Sequence, residues 1–129
     1  MPAGDGFTAG EQHEINRAIS VAEELSGLRF SVYVGSSDGE SRPYAERLQA
    51  QLEGAPHSVL FFVDPGGCRL EIVTGPASAQ VLDDSACGLV ALTMQTAFAA
   101  GDLVGGITNG VQQLGQQARR PTTLHTETL

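Results

Sequence analysis

The run Val59-Leu-Phe-Phe-Val63 is the longest strictly apolar stretch in the chain, and it constrains the fold more than any other segment. Five apolar residues in succession do not alternate, so both faces of the strand they form are expected to be buried. A central strand of that kind needs a covering layer on each side. The run is far too short to span a membrane. At 129 residues the chain has room for one domain. A chain of this length buries roughly two-thirds of its unfolded surface and needs neither metal nor disulfide to fold.

The flanking segments supply the layers. Thr8 and Glu11 form a capping box behind Phe7, and Ile15, Ala18, Ile19, Ala22 and Leu25 recur at helical spacing until Gly27. Glu11, Glu14, Glu23 and Glu24 fall largely on the wet side of that helix. The period then changes: Phe30, Val32 and Val34 alternate with Arg29, Ser31 and Tyr33 as in a strand. A polar loop over 35–41 leads to a helix with Pro43 in its first turn and Tyr44, Ala45, Leu48 and Leu52 on its buried face. After the central run, Asp64-Pro-Gly-Gly67 turns the chain into Arg69–Thr74, the second arm of a hairpin. Residues 77–82 read either as a short helix or as an irregular approach. Asp83 or Asp84 caps a third helix with a face of Ala86, Leu89, Val90, Thr93, Ala97 and Phe98. Asp102 caps a fourth, carrying Leu103, Ile107, Val111 and Leu114, which Arg119-Arg120-Pro121 closes.

The order α-β-α-β-β-α-α predicts a right-handed crossover between two parallel strands, followed by an antiparallel third strand. The expected fold class is therefore α/β, a three-layer α/β/α sandwich in which about four helices cover a small mixed sheet. The expected divisions are a flexible N-terminus over 1–6, a single domain over 7–120 and a flexible tail over 121–129.

Charge narrows the partners. Seven Arg, no Lys and fifteen acids give a net charge of −8. Phosphate contacts need clustered cations, so nucleic acid is excluded and anionic membrane surfaces are disfavoured. Residues 1–25 contain acids and no apolar h-region, so the reading is a soluble cytoplasmic protein with no direct membrane insertion. Cys68 and Cys87 match no paired zinc knuckle and read as two separate thiols, one opening a strand and one in a helix.

The segments Val59–Asp64, Arg69–Gly75, Leu82-Asp-Asp84 and Phe98–Ile107, in that order and spacing, resemble the TPM domain family, and more closely an actinobacterial branch of unassigned function. The resemblance covers about Phe7 to Leu114. It implies an α/β/α sandwich and a member of a family described as phosphatases, as calcium-binding domains and as accessory modules of membrane-associated complexes. Typical members carry a Trp-Gly-rich stretch and Asn-Asn-Gly before the central strand; here that stretch is Leu52-Glu-Gly-Ala-Pro-His-Ser58, and the chain has no Trp.

Ligands favour the edge where parallel strands end. The first strand ends into Ser36, Ser37 and Asp38, and the second ends at Asp64. A third helix climbing from the opposite edge brings Asp102 to the same place. Asp38, Asp64 and Asp102 are thus the candidate ligands for a hard cation, calcium or magnesium, which takes oxygen donors. Asp83 and Asp84 are the weaker candidates, because they start on the far edge unless residues 76–82 climb first. Each aspartate reads equally as a turn residue or helix cap. His13, His57 and His125 have no local catalytic setting, and no nucleophile elbow, Walker loop, dinucleotide fingerprint or zinc-protease helix is present. The expectation is a non-catalytic interaction or accessory domain with another protein as partner; no catalytic or cofactor-binding residue is assigned. The alternative is a metal-assisted phosphatase, with Ser36 or Ser37 orienting an oxygen and Arg42 and Arg69 the nearest cations. Thr93, Ala97, Ala100, Gly105, Gly106 and Gly110 permit close helix approach, inside the fold or against a partner.

Overall fold

A computed structural model describes residues 7–119. The elements run α1 (Ala9–Ser26), β1 (Arg29–Val34), α2 (Ser41–Ala50), β2 (Ser58–Asp64), β3 (Arg69–Thr74), α3 (Asp84–Ala99) and α4 (Leu103–Gln117). Short 3-10 turns at Ala55–His57 and Ser78–Gln80 join α2 to β2 and β3 to α3. The latter resolves the ambiguous 77–82 segment as a single turn. The termini expected to be flexible, 1–6 and 121–129, lie outside the described residues, as do Arg120 and Pro121.

Local chemistry sets the boundaries. Thr8 Oγ1 accepts from Glu11 N, and Thr8 N donates to the Glu11 carboxylate, closing the capping box at 3.0 Å in each direction. Gly27 ends α1 with φ 79°, a left-handed value that glycine adopts without strain. Asp83 and Asp102 cap α3 and α4 through Ala86 N and Gly105 N.

The sheet order is β1-β2-β3, with β1 and β2 parallel and β2 and β3 antiparallel. All seven residues of β2 are buried, as its unbroken apolar run requires. Its odd-numbered residues Val59, Phe61 and Val63 face a core built with α1, α3 and α4. The even-numbered Leu60 and Phe62 face α2 with Val73, Ala45, Tyr44 and Leu48. The expected α/β/α sandwich is therefore present, with one helix on one face and three on the other. On the α2 side Tyr33 stacks on Phe62 at 5.6 Å between centroids, and Tyr44 meets Phe62 edge-on at 5.7 Å.

Two details depart from the sequence pattern. Glu23 turns inward and accepts the Phe30 amide at 3.0 Å, so it ties α1 to the start of β1 instead of lying on the wet side. The third helix is also rotated from the expected face. Val90 and Met94 are buried, whereas Leu89 and Thr93 stand exposed. The reason lies in α4: a Cβ at Gly106 would run into Phe98 and Ala97, and one at Gly110 into Met94. These glycines take Phe98 and Met94 as knobs, and that fit sets the rotation of α3. Gly115 likewise admits Ala22 of α1. Gly106, Gly110 and Gly115 thus serve packing between helices of the same chain.

Candidate functional site

The parallel strands β1 and β2 end together: Gly35 N, just past β1, donates to Val63 O at 2.9 Å. On the same edge β2 turns back into β3, with Asp64 opposite Arg69 in register. Asp64 Oδ1 accepts the Gly67 amide at 3.1 Å and so holds the hairpin turn closed. Cys68, the last turn residue, has φ 55° and is exposed. It does not open the strand, as the sequence suggested; it takes the left-handed position that the preceding glycines would be expected to fill.

The C-terminal end of α3 reaches this turn. Between them lies a cavity of about 330 Å3, bounded by Val63, Asp64, Pro65, Cys68, Arg69, Leu70, Gln95, Phe98 and Ala99. Its floor is apolar, from Val63, Leu70 and Phe98, and its rim carries Arg69 and Gln95, both exposed. This is the combination of apolar floor and few polar groups that typifies binding sites. The sequence placed Asp64 at this edge and missed the cleft. Phe98 and Gln95 belong to it because α3 climbs across the sheet, and the missing signal was its rotational setting.

The candidate cation ligands each have a local role or setting. Asp64 serves the hairpin turn. Asp102 follows α3 by three residues, and its Oδ1 accepts from Gly105 N at 2.9 Å. Asp38 is exposed in the loop after β1, where Ser37 Oγ donates to Gly39 O. The Asp83 carboxylate accepts from Ala86 N, and Asp84 lies in the first turn of α3, at the far edge. Among the described residues, no group of three or more His, Cys, Asp and Glu side chains is placed to hold a metal ion.

Of the two candidate cations, Arg42 is engaged away from the cleft. It pairs with Glu46 at 3.1 Å and Glu71 at 3.5 Å, and it donates to the Ile72 carbonyl at 3.0 Å on the outer side of β3. The Ser41 hydroxyl donates to the same Glu71 carboxylate. This cluster covers the unpaired edge of β3, a role charged side chains commonly serve. Arg69 remains at the cleft.

The two cysteines are free thiols. Burial pushes the Cys87 thiol pKa upward, and the nearby Asp84 and Asp83 carboxylates add to the shift against a smaller opposing effect of Arg42. Its thiolate is therefore disfavoured, the reverse of what a nucleophilic cysteine requires.

Comparison with known proteins places this architecture. The family described as "Domain of unknown function (DUF5130)" matches residues 2–115. Two Mycobacterium tuberculosis proteins, Uncharacterized protein Rv2468c and Uncharacterized protein MT2543, are each 24% identical over 108 residues, 84% of this chain. The chain spans 65% of the length of these relatives. The BA42 protein of Bizionia argentinensis has a similar fold, with TM-score 0.77 and 20% identity over 88% of this chain and 82% of its own. The N-terminal domain of the Corynebacterium glutamicum protein cg2496 gives TM-score 0.73 and 16% identity over 88% and 74%. An N-terminal domain from P. gingivalis gives TM-score 0.73 and 17% identity over 86% and 75%. At these identities the likeness is one of fold. Among the described residues no helix is long and apolar enough to cross a membrane.

Proposed function

The chain belongs to the DUF5130 family, and on that premise we propose that it is a non-catalytic interaction domain of TPM-like type, with another protein as its partner. The observation that carries this reading is the cleft beside the β2–β3 hairpin. Its 330 Å3 admit one or more apolar anchor side chains, and the apolar floor rewards burial of such an anchor at about 25 cal/mol per Å2. Arg69 at the rim favours a carboxylate next to the anchor. Among the described residues Arg69 makes no ion pair, and it is exposed at the rim. An anchored side chain ringed by polar groups is the usual form of an energetic centre in a protein interface.

The alternative, a metal-assisted phosphatase, requires a cation to neutralise phosphate oxygens and a positive group to hold developing charge. The carboxylates of Asp64 and Asp102 each hold a backbone amide, and Arg42 is held by Glu46 and Glu71. No observation favours this alternative over binding.

The test is a photo-crosslinking residue at Gln95, on the cleft rim, with Glu14 on the exposed face of α1 as control. The interaction reading expects one protein to be captured reproducibly at position 95 and not at 14. Capture of nothing at 95, together with phosphoester turnover that is lost in Asp64→Asn with the fold intact, replaces it by the enzyme reading.

A further inference from the structure

We propose that the outer edge of β1 is a strand-addition site for an extended, acidic segment of another protein, an aliphatic residue of which enters the groove between β1 and α2. In the order β1-β2-β3 each outer strand has one edge with no strand beside it. That of β3 is covered by Arg42, which donates to Ile72 O and pairs with Glu71. The edge of β1 has no such guard. Residues 30–34, Phe-Ser-Val-Tyr-Val, hold neither charge nor Pro, the devices that blunt natural edges.

Strand parity identifies the open groups. Gly35 N reaches Val63 O of β2, whereas Phe30 N points away from β2 and is held by the Glu23 carboxylate of α1. Backbone groups alternate along a strand, so Val32 and Val34 present their amides, and Phe30 and Val32 their carbonyls, on the same outer side as Phe30 N. Among the described residues no turn, loop or side-chain hydrogen bond reaches the Val32 or Val34 amide. The complement of such a row is an extended backbone, which supplies a donor and an acceptor at every second residue.

An added strand also brings alternate side chains to the α2 side. There a groove of about 290 Å3 lies against the edge, between Ser31 and Tyr33 of β1 and a floor of Leu48, Leu52 and Leu60. That floor fits an aliphatic side chain. Arg47 stands at the Tyr33 end: it lies 5.6 Å from the centroid of the Tyr44 ring, which meets Tyr33 edge-on. It is exposed and, among the described residues, makes no ion pair, and no acid among them lines the groove. A carboxylate two residues from the aliphatic one shares its face of the strand and falls on the Arg47 side. The net charge of −8 opposes an acidic partner at long range, but at about 0.15 M salt charges beyond about 8 Å are screened and the adjacent guanidinium decides. A second copy is the poorer occupant, because its own β1 carries no carboxylate and brings Arg29 toward Arg47.

The probe is the capped peptide Ser-Thr-Glu-Val-Leu-Val-Glu-Thr-Ser, with glutamate on both sides of leucine so that either strand direction sets one toward Arg47. NMR titration of the full chain is expected to move the amide signals of residues 30–34, Leu48 and Leu52, and to leave those of Gln95 and Phe98 in the cleft in place, with a Kd in the micromolar to millimolar range. Hydrogen exchange at Val32 and Val34, fast in the free chain, should slow about tenfold or more at saturation. Val32→Pro removes an outward amide that β2 does not use and should weaken binding about threefold or more. The same peptide with lysine for glutamate should bind wild type more weakly, and Arg47→Glu should reverse that order, a swap that loss of fold does not produce. No shift at residues 30–34 up to millimolar peptide overturns the proposal. So do shifts confined to Gln95 and Phe98, or a lysine peptide that binds wild type as tightly as the glutamate one. Slow exchange at Val32 and Val34 in the free chain overturns it as well, since the chain itself or a second copy would then cover the edge.

Discussion

Replacing Asp64 separates a turn anchor from a cation ligand. Its side chain accepts one bond, from Gly67 N at 3.1 Å, and the residue is 9% exposed. A net hydrogen bond of this kind contributes about 1 kcal/mol. In a chain of this size that corresponds to roughly 3–6 °C in Tm. Asp64→Ala is therefore expected to lower Tm by that amount. Asp64→Asn retains Oδ1 as an acceptor and loses about half as much or less. Gly67→Ala would place its Cβ 2.7 Å from the Asp64 Oδ2, pushing the carboxylate from its seat, and should match Asp64→Ala. Thermal melts followed by circular dichroism, in chelator and in millimolar calcium, read all three variants. The turn account expects the two conditions to superimpose for every protein. It is refuted if Asn loses as much as Ala, or if calcium raises the wild-type Tm and not that of Asp64→Asn. Either result would mean that the negative charge, not the oxygen geometry, is what Asp64 supplies.

Ser78→Ala removes a fully buried hydroxyl that accepts from Gly75 N at 2.8 Å and donates to Ser58 O at 2.8 Å; urea unfolding should show a loss of about 1–3 kcal/mol. Gly110→Ala drives a Cβ into the buried Met94 side chain and should cost about 1–3 kcal/mol in the same assay, whereas an Ala at the open position Gly88 should be neutral or stabilising. Thiol labelling should modify the exposed Cys68 first. Because the Cys87 pKa is raised, its thiolate fraction at any given pH is lower than an ordinary cysteine's, and its rate in Cys68→Ser should climb only at higher pH. Equal rates for Cys68→Ser and Cys87→Ser near neutral pH would contradict that placement.

Much of the architecture was legible because single residues carry unambiguous physics. The Thr8–Glu11 box, Gly27 and Asp102 mark helix ends by hydrogen-bonding chemistry that operates within four residues. Val59–Val63 announced a strand covered on both faces, and the α/β/α order followed. What the sequence concealed is relational. The segment Ala86–Phe98 is apolar on more than one side, so no period selects its buried face; the choice falls to Gly106 and Gly110, seen only when α4 lies against it. The cleft depends on the same choice, since Phe98 and Gln95 reach the hairpin through that rotation. Cys68 was hidden for another reason. In Pro-Gly-Gly-Cys the glycines are the natural left-handed residues, and the structure puts φ 55° on the cysteine. The aspartates were located at plausible edges, but the carboxylates of Asp64, Asp83 and Asp102 each accept a nearby amide, a competition sequence spacing cannot rank against a shared cation.

The central claim is that a partner protein anchors in the cleft between the hairpin and α3. The most direct measurement is the Kd of the protein captured at Gln95 for wild type, Arg69→Glu and Ala99→Phe, two exposed rim positions whose replacement leaves the core untouched. Arg69→Glu reverses the rim charge, and Ala99→Phe fills the recess; each should weaken binding about tenfold or more, roughly 1.4 kcal/mol, with Tm unchanged for Ala99→Phe and slightly lowered for Arg69→Glu, which sets a second carboxylate opposite Asp64. Wild-type affinity in both variants would contradict the claim.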